Sequence, residues 1–217
     1  MCAFVSSNPV RRLRRQLPSW PQIERRVAKR HVAIFRPALI TAGDFQGICL
    51  VRNISTTGMM GHVHIQLPTE TPVTIKTHFD YCLAGRVAWS NSVQVGVEFD
   101  EPIDVDHTLW LMSQRNLDGF IQRAPRLEVS CQANLQRVDE TCRVELLDIS
   151  QNGAKISGQP LIPGEIVHII IDGLDSRRAN VQWSREGRSG LTFFRTFRFE
   201  ELAEWAITTH LKASEDK

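Results

Sequence analysis

Two short segments carry the residue types of a ligand-binding turn, Asn53-Ile54-Ser55-Thr56-Thr57-Gly58 and Asp148-Ile149-Ser150-Gln151-Asn152-Gly153. An amide or carboxylate, a hydroxyl two places on and a glycine three beyond can hydrogen-bond the edge of a flat ligand, and the glycine lets backbone come close. The same residues also make an ordinary Asx or Ser turn between strands. The repetition raises the interest, as do the arginines a little over twenty residues upstream of each copy. Arg25, Arg26 and Arg30 precede the first turn, Arg123 and Arg126 the second. A guanidinium pairs bidentately with planar or tetrahedral anions, and its face stacks on aromatic rings. Arginines four apart, as Arg26 and Arg30 are, can grip two features of one ligand. The spacing alone is cheap, since Arg11-Arg12-Leu13-Arg14-Arg15 contains it too.

The elements that must position these residues read as short strands. In the first half, runs rich in β-branched residues occupy 31–35, 47–51, 59–67, 73–75, 83–89 and 93–99, separated by Gly, Pro, Asn and Asp. Such spacing indicates a small antiparallel barrel or sandwich. Val93, Val95, Val97 and Phe99 alternate onto one face, and Ser90-Asn91-Ser92 is a hairpin turn. Asp104 or Asp106 caps a helix over 107–112. Trp89 is assigned to core or rim packing, and Trp110 to the barrel or the other domain. The second half repeats the order. Arg126 follows Arg30 by 96 residues; Asp148, Ser150 and Gly153 follow Asn53, Ser55 and Gly58 by 95; Trp183, Gly190 and Phe193 follow Trp89, Gly96 and Phe99 by 94. A near-constant offset means two copies of one domain. Strands over 127–135, 141–147, 154–156, 166–171, 178–183 and 190–194 precede a helix over 200–211. The expected division is a basic arm (1–24), a first domain (25–117) and a second (118–217).

Charge and cysteine usage narrow the function classes. Residues 11–30 hold eight basic groups against Glu24, a balance of +7, while the whole chain carries +2; the remainder is therefore −5. Positive potential is confined to the arm and not spread over a nucleic-acid-binding face. No apolar stretch reaches the roughly 18 residues of a membrane span, and the first ten residues have no apolar core of a secretory signal. Five cysteines, none at metal-ligand spacing, suit a reducing cytoplasm without structural metal. His62 and His64 read as exposed strand neighbours on one face rather than half a zinc site. No nucleophile, base and orienter are grouped, so no catalytic residues and no enzyme activity are expected.

Arg26-Val27-Ala28-Lys29-Arg30, then Asn53 to Gly58, then Trp89 and Gly96-Val97-Glu98-Phe99 resemble the PilZ domain family, and the resemblance extends over both halves. It implies a mainly β chain of two tandem six-stranded antiparallel PilZ-like β-barrels, each followed by a C-terminal helix. It also implies cyclic di-GMP, a bacterial second messenger, as ligand, with no further cofactor. Carried over, the ligand residues are Arg26, Arg30, Asn53, Ser55 and Gly58. The second copy departs from the family pattern. Gln122 stands where the first arginine belongs and Arg123 one place late, although Arg126, Asp148, Ser150 and Gly153 are present. Its candidates, like Arg25, are the weaker ones. Asn53 departs too, because the family more often has aspartate and an amide accepts a guanine N–H less strongly.

The expected function is a cyclic di-GMP receptor that signals to an unidentified protein partner when ligand orders the arginine arm. A homodimer is compatible with it. The alternative is a PilZ-like interaction scaffold that binds no nucleotide. Nucleic-acid binding through the arm is the weaker third class.

Overall fold

A computed structural model describes residues 34–77, 81–113, 124–138 and 140–215. The first barrel comprises β1 (Arg36–Ala42), β2 (Phe45–Ser55), β3 (Gly58–His62), β4 (Pro72–Lys76), β5 (Cys82–Ser90) and β6 (Gln94–Phe99), followed by α1 (Val105–Ser113). The second comprises β7 (Leu127–Gln136), β8 (Thr141–Ser150), β9 (Gly153–Ser157), β10 (Ile166–Ile171), β11 (Arg177–Arg185) and β12 (Arg188–Phe193), followed by α2 (Phe199–Glu215). Both close in the same order, β1-β2-β3-β6-β5-β4 and β7-β8-β9-β12-β11-β10, with every pairing antiparallel. Closure leaves no edge strand to be covered.

Alternation along the strands fills each barrel. Val73 and Ile75, Leu83 and Val87, and Val95, Val97 and Phe99 point inward in the first; Leu135, Leu146, Ile156, Val167, Ile169 and Leu191 do so in the second. Each buried aliphatic side chain contributes about 1.5–3 kcal/mol. The duplication extends to irregularities. Register shifts fall at Arg52 and at its counterpart Leu147, and again at Ala88 and its counterpart Gln182. A bulge re-aims the side chains after it, so each repeat aims Asn53 or Asp148, and Trp89 or Trp183, in the same way.

The hairpin β1–β2 is buried on both faces. Ala38, Ile40, Cys49 and Val51 face the first core, whereas Leu39 and Ile48 pack with the second barrel's apolar cluster. Helix α2 lies against β2. It buries Leu202, Ala203, Trp205 and Ala206 on its own barrel and turns Ile207 to the first barrel's cluster. Trp205 Nε1 donates to the Asp172 carbonyl at 2.8 Å. His210 meets Phe45 edge-on at 5.3 Å, and the Glu128 amide donates to Gln46 Oε1 at 2.8 Å. The two barrels therefore share an apolar seam.

Several expectations change. Strand β1 begins at Arg36, so Ile34 and Phe35 precede it, while residues 31–33 lie outside the described residues. Pro37 argues against a strand by sequence. It is tolerated because β1 pairs β4 only over Leu39–Thr41, leaving Pro37 bonded on the β2 side alone. Strand β3 stops at His62, short of residue 67, although Val63 and Leu67 remain buried. Val93 belongs to the preceding turn and is exposed, because Asn91 Oδ1 accepts from both the Val93 and Gln94 amides. Asp104 rather than Asp106 caps α1, its Oδ1 accepting from the His107 amide at 3.0 Å. Trp110 is 52% exposed and stacks on His107 instead of being buried on a barrel. His62 and His64 are both half-buried: His62 meets Gln94, and His64 faces Glu204 and Phe199 of α2. Among the described residues, no helix is long and apolar enough to cross a membrane.

Candidate functional site

The turns at Asn53–Gly58 and Asp148–Gly153 are tight hairpins, with Ser55 paired to Gly58 and Ser150 to Gly153 across two-residue turns. Their serines work locally. Ser55 Oγ donates to the Gly58 carbonyl at 3.0 Å, and Ser150 Oγ to the Gly153 carbonyl at 3.1 Å. The turn carbonyls hold the end of each barrel's last strand and the chain after it: Thr57 accepts from the Phe99 amide and Thr56 from Ile103, as Asn152 does from Phe193 and Gln151 from Phe197. The glycines are steric necessities. A Cβ on Gly58 would lie 2.5 Å from the Val97 carbonyl oxygen, and one on Gly153 2.1 Å from that of Leu191. Much of the motif's composition is therefore explained by how β3 and β9 pack on their neighbours.

Asn53 remains for ligand chemistry. It is half-buried on the outer face of β2, opposite Met60; Met60 is opposite Gly96, and Gly96 is opposite Trp89. One row thus crosses four strands: amide, thioether, bare backbone, indole. Trp89 is 43% exposed, not in the core. Its indole lies against Gly96, where a Cβ would stand 2.1 Å from Nε1, so glycine alone lets the ring sit there. Asn53, Ser55, Gly58, Met60, Trp89 and Gly96 line an open cleft of about 320 Å³, within the size range of small-ligand sites. An exposed ring over a glycine floor, with an amide at one edge, is suited to a planar base that stacks and hydrogen-bonds. A smaller cavity of about 210 Å³, lined by Arg36, Pro37, Met112, Pro125 and Asn152, lies between the barrels. It holds one motif residue, Asn152, and none of the row.

The second barrel has the same row with different chemistry: Asp148 opposite Lys155, Lys155 opposite Gly190, Gly190 opposite Trp183. Asp148 is 6% exposed. Arg126 Nη1 donates to its Oδ1 at 2.5 Å and Lys155 Nζ to its Oδ2 at 2.9 Å. Arg185 lies over the Trp183 ring at 5.2 Å. Both carboxylate oxygens and the indole face are engaged by the chain itself. The structure brings Arg126 and Asp148 together, with Lys155 beside them; the sequence singled out neither Lys155 nor Met60, and of the core and rim positions expected for Trp89 the structure excludes the core. The offset of 95 that aligns Asn53 with Asp148 also aligns Met60 with Lys155, a signal present in the sequence. Arg25, Arg26, Arg30 and Arg123 lie outside the described residues.

The PilZ domain family model matches residues 24–113 and again 121–206. The chain belongs to the PilZ domain family. Both PilZ repeats coincide with the two barrels. No match is found among curated proteins. Similar solved structures include the Borreliella burgdorferi PlzA protein in complex with c-di-GMP, 12% identical over 82% of this chain and 87% of that chain, TM-score 0.33. They also include YcgR from Escherichia coli in complex with c-di-GMP, 13% identical over 83% and 86%, TM-score 0.32. The K. pneumonia MrkH–c-di-GMP complex is 13% identical over 84% and 90%, TM-score 0.32.

Proposed function

We propose that this protein is a non-enzymatic cyclic di-GMP receptor whose working site is on the first PilZ barrel. The observation that carries the reading is the row Asn53–Met60–Gly96–Trp89, open along a cleft of about 320 Å³. A guanine stacks on the exposed Trp89 indole and presents its edge to Asn53; Gly96 and Gly58 keep the floor low. Arg26 and Arg30 of the adjoining segment pair with the phosphates and the second guanine. Arm ordering on binding is the signal, read by a protein partner in the cytoplasm, and its entropic cost is offset by phosphate pairing and stacking.

Calorimetric titration of the full chain with cyclic di-GMP tests this. Saturable binding that weakens at least a hundredfold in Arg30→Ala is expected, the loss of about 3 kcal/mol that a bidentate charged pair can carry. Absence of binding, or an affinity indifferent to Arg30→Ala, overturns it.

The alternative, an interaction scaffold of two barrels that bind no nucleotide, finds its support in the second barrel. Asp148 is engaged by Arg126 and Lys155, which favours a structural or partner-binding role there over nucleotide binding.

A further inference from the structure

We propose that the residue opposite the first position of each turn decides whether that barrel's row is open to a nucleotide. Met60 holds the first row open, and Lys155 closes the second. The proposal rests on the reading of the first barrel as the cyclic di-GMP site and names the residue that makes it so.

The two rows are superposable by register and differ at two places, Asn53 against Asp148 and Met60 against Lys155. These differences are chemically linked. Asp148 draws counter-charge from Arg126 and from Lys155; an aspartate facing the Met60 thioether would have no cation across from it, and a lysine facing an amide would lack an anion. Asp with Lys, and Asn with Met, are the two self-consistent pairs. In the second barrel the pair is made, with Lys155 on Oδ2 and Arg126 on Oδ1 of a carboxylate that is 6% exposed. A guanine N–H seeking that carboxylate must displace a cation and leave a buried charge with one partner, which is strongly unfavourable. In the first barrel the corresponding amide faces an uncharged side chain, so a ligand edge displaces no ion pair. Family motifs count the aspartate as the better ligand residue. Within this molecule the better residue is the one already engaged.

This reading and simple electrostatics predict opposite orders of affinity for an anionic dinucleotide. By charge alone, Asn53→Asp repels the ligand and adding Met60→Lys restores affinity. By self-pairing, Asn53→Asp offers a charged acceptor with no lysine across from it, stronger than an amide, and adding Met60→Lys engages it. Calorimetric titration of the full chain with cyclic di-GMP should therefore find Asn53→Asp at least as tight as wild type. The double variant Asn53→Asp/Met60→Lys should be at least tenfold weaker than wild type, with a cooperative thermal melt showing it folded. Should that variant not fold, Asn53→Asp/Met60→Arg places the same counter-charge on a longer side chain and carries the same expectation. A double variant that binds as tightly as wild type or tighter, or an Asn53→Asp weaker than the double variant, overturns the proposal and leaves the receptor reading standing. No saturable binding by wild type overturns both.

Discussion

At the scale of single residues, the turn motif divides into parts that build the barrel and a part left for chemistry. Ser55 is held by the Gly58 carbonyl, and Gly58 by its fit against Val97; Asn53 faces outward across from Met60. Which residue does which job depends on the bulge at Arg52, since a register one residue different would send Asn53 inward. The charge of Arg52 also acts on His62. Burial, then the Arg52 guanidinium, then His64 lower its pKa from the usual histidine value near 6.5. A histidine harder to protonate folded than unfolded makes unfolding take up a proton. Its stabilising contribution is whole above the unfolded value and is lost as pH falls below it. Chemical denaturation between pH 7 and 5 should show stability declining in wild type and a shallower decline in His62→Gln. Equal slopes would show that His62 does not titrate in this linkage.

At the scale of elements, the succession of six strands and a helix in each half was legible because each half alternates at the strand period between turn residues. The second copy also supplied an internal check on the first. Three places misled for identifiable reasons. The sequence puts the first strand over 31–35, but β1 begins at Arg36 and runs through Pro37, whose missing N–H falls where β1 has only one neighbour. An apolar run past His62 mimicked strand, although Val63 and Leu67 are buried in a connecting segment. The sequence leaves Trp89 between core and rim because aromatic residues are generally packed. Nothing local to residue 89 reveals that a glycine on the next strand leaves room for its ring outside the barrel. The glycines accordingly differ in what they support, and substitution should separate them. At Gly58 an added Cβ meets the Val97 carbonyl at 2.5 Å, a backbone atom that can retreat only by opening the β3–β6 ladder. Gly58→Ala should lower stability by about 2–3 kcal/mol, in line with overpacked cores. At Gly96 the Cβ meets the Trp89 indole at 2.1 Å, and an exposed ring can swing away. Gly96→Ala should cost less stability than Gly58→Ala while changing Trp89 fluorescence and weakening cyclic di-GMP binding. Equal losses of stability with unchanged fluorescence would show that the ring does not rest on Gly96.

At the scale of the molecule, β2 connects the seam to the candidate site. Ile48 packs with the second barrel's cluster, and Asn53, five residues along the same strand and about 17 Å away at 3.4 Å per residue, faces the cleft. Both faces of β1 and β2 are buried, and their unbroken apolar runs Ala38-Leu39-Ile40 and Ile48-Cys49-Leu50-Val51 suit strands covered on both sides. What covers the outer face was not visible, because the covering residues come from α2 and β7, far along the chain. A seam of this kind should make the two barrels unfold as one unit although each has its own core. Leu39 tests it cleanly, since it sits in the seam and points away from its own barrel's interior. Leu39→Ala should destabilise by about 2–5 kcal/mol, the cost of a truncated buried leucine. Leu39→Asp, which places an unpaired charge between the barrels, should split a single calorimetric transition into two and raise the radius of gyration. If Leu39→Asp still melts in one transition at the wild-type temperature, the barrels are coupled through something other than this seam, and β2 loses its standing as the strand that joins the site to the second barrel.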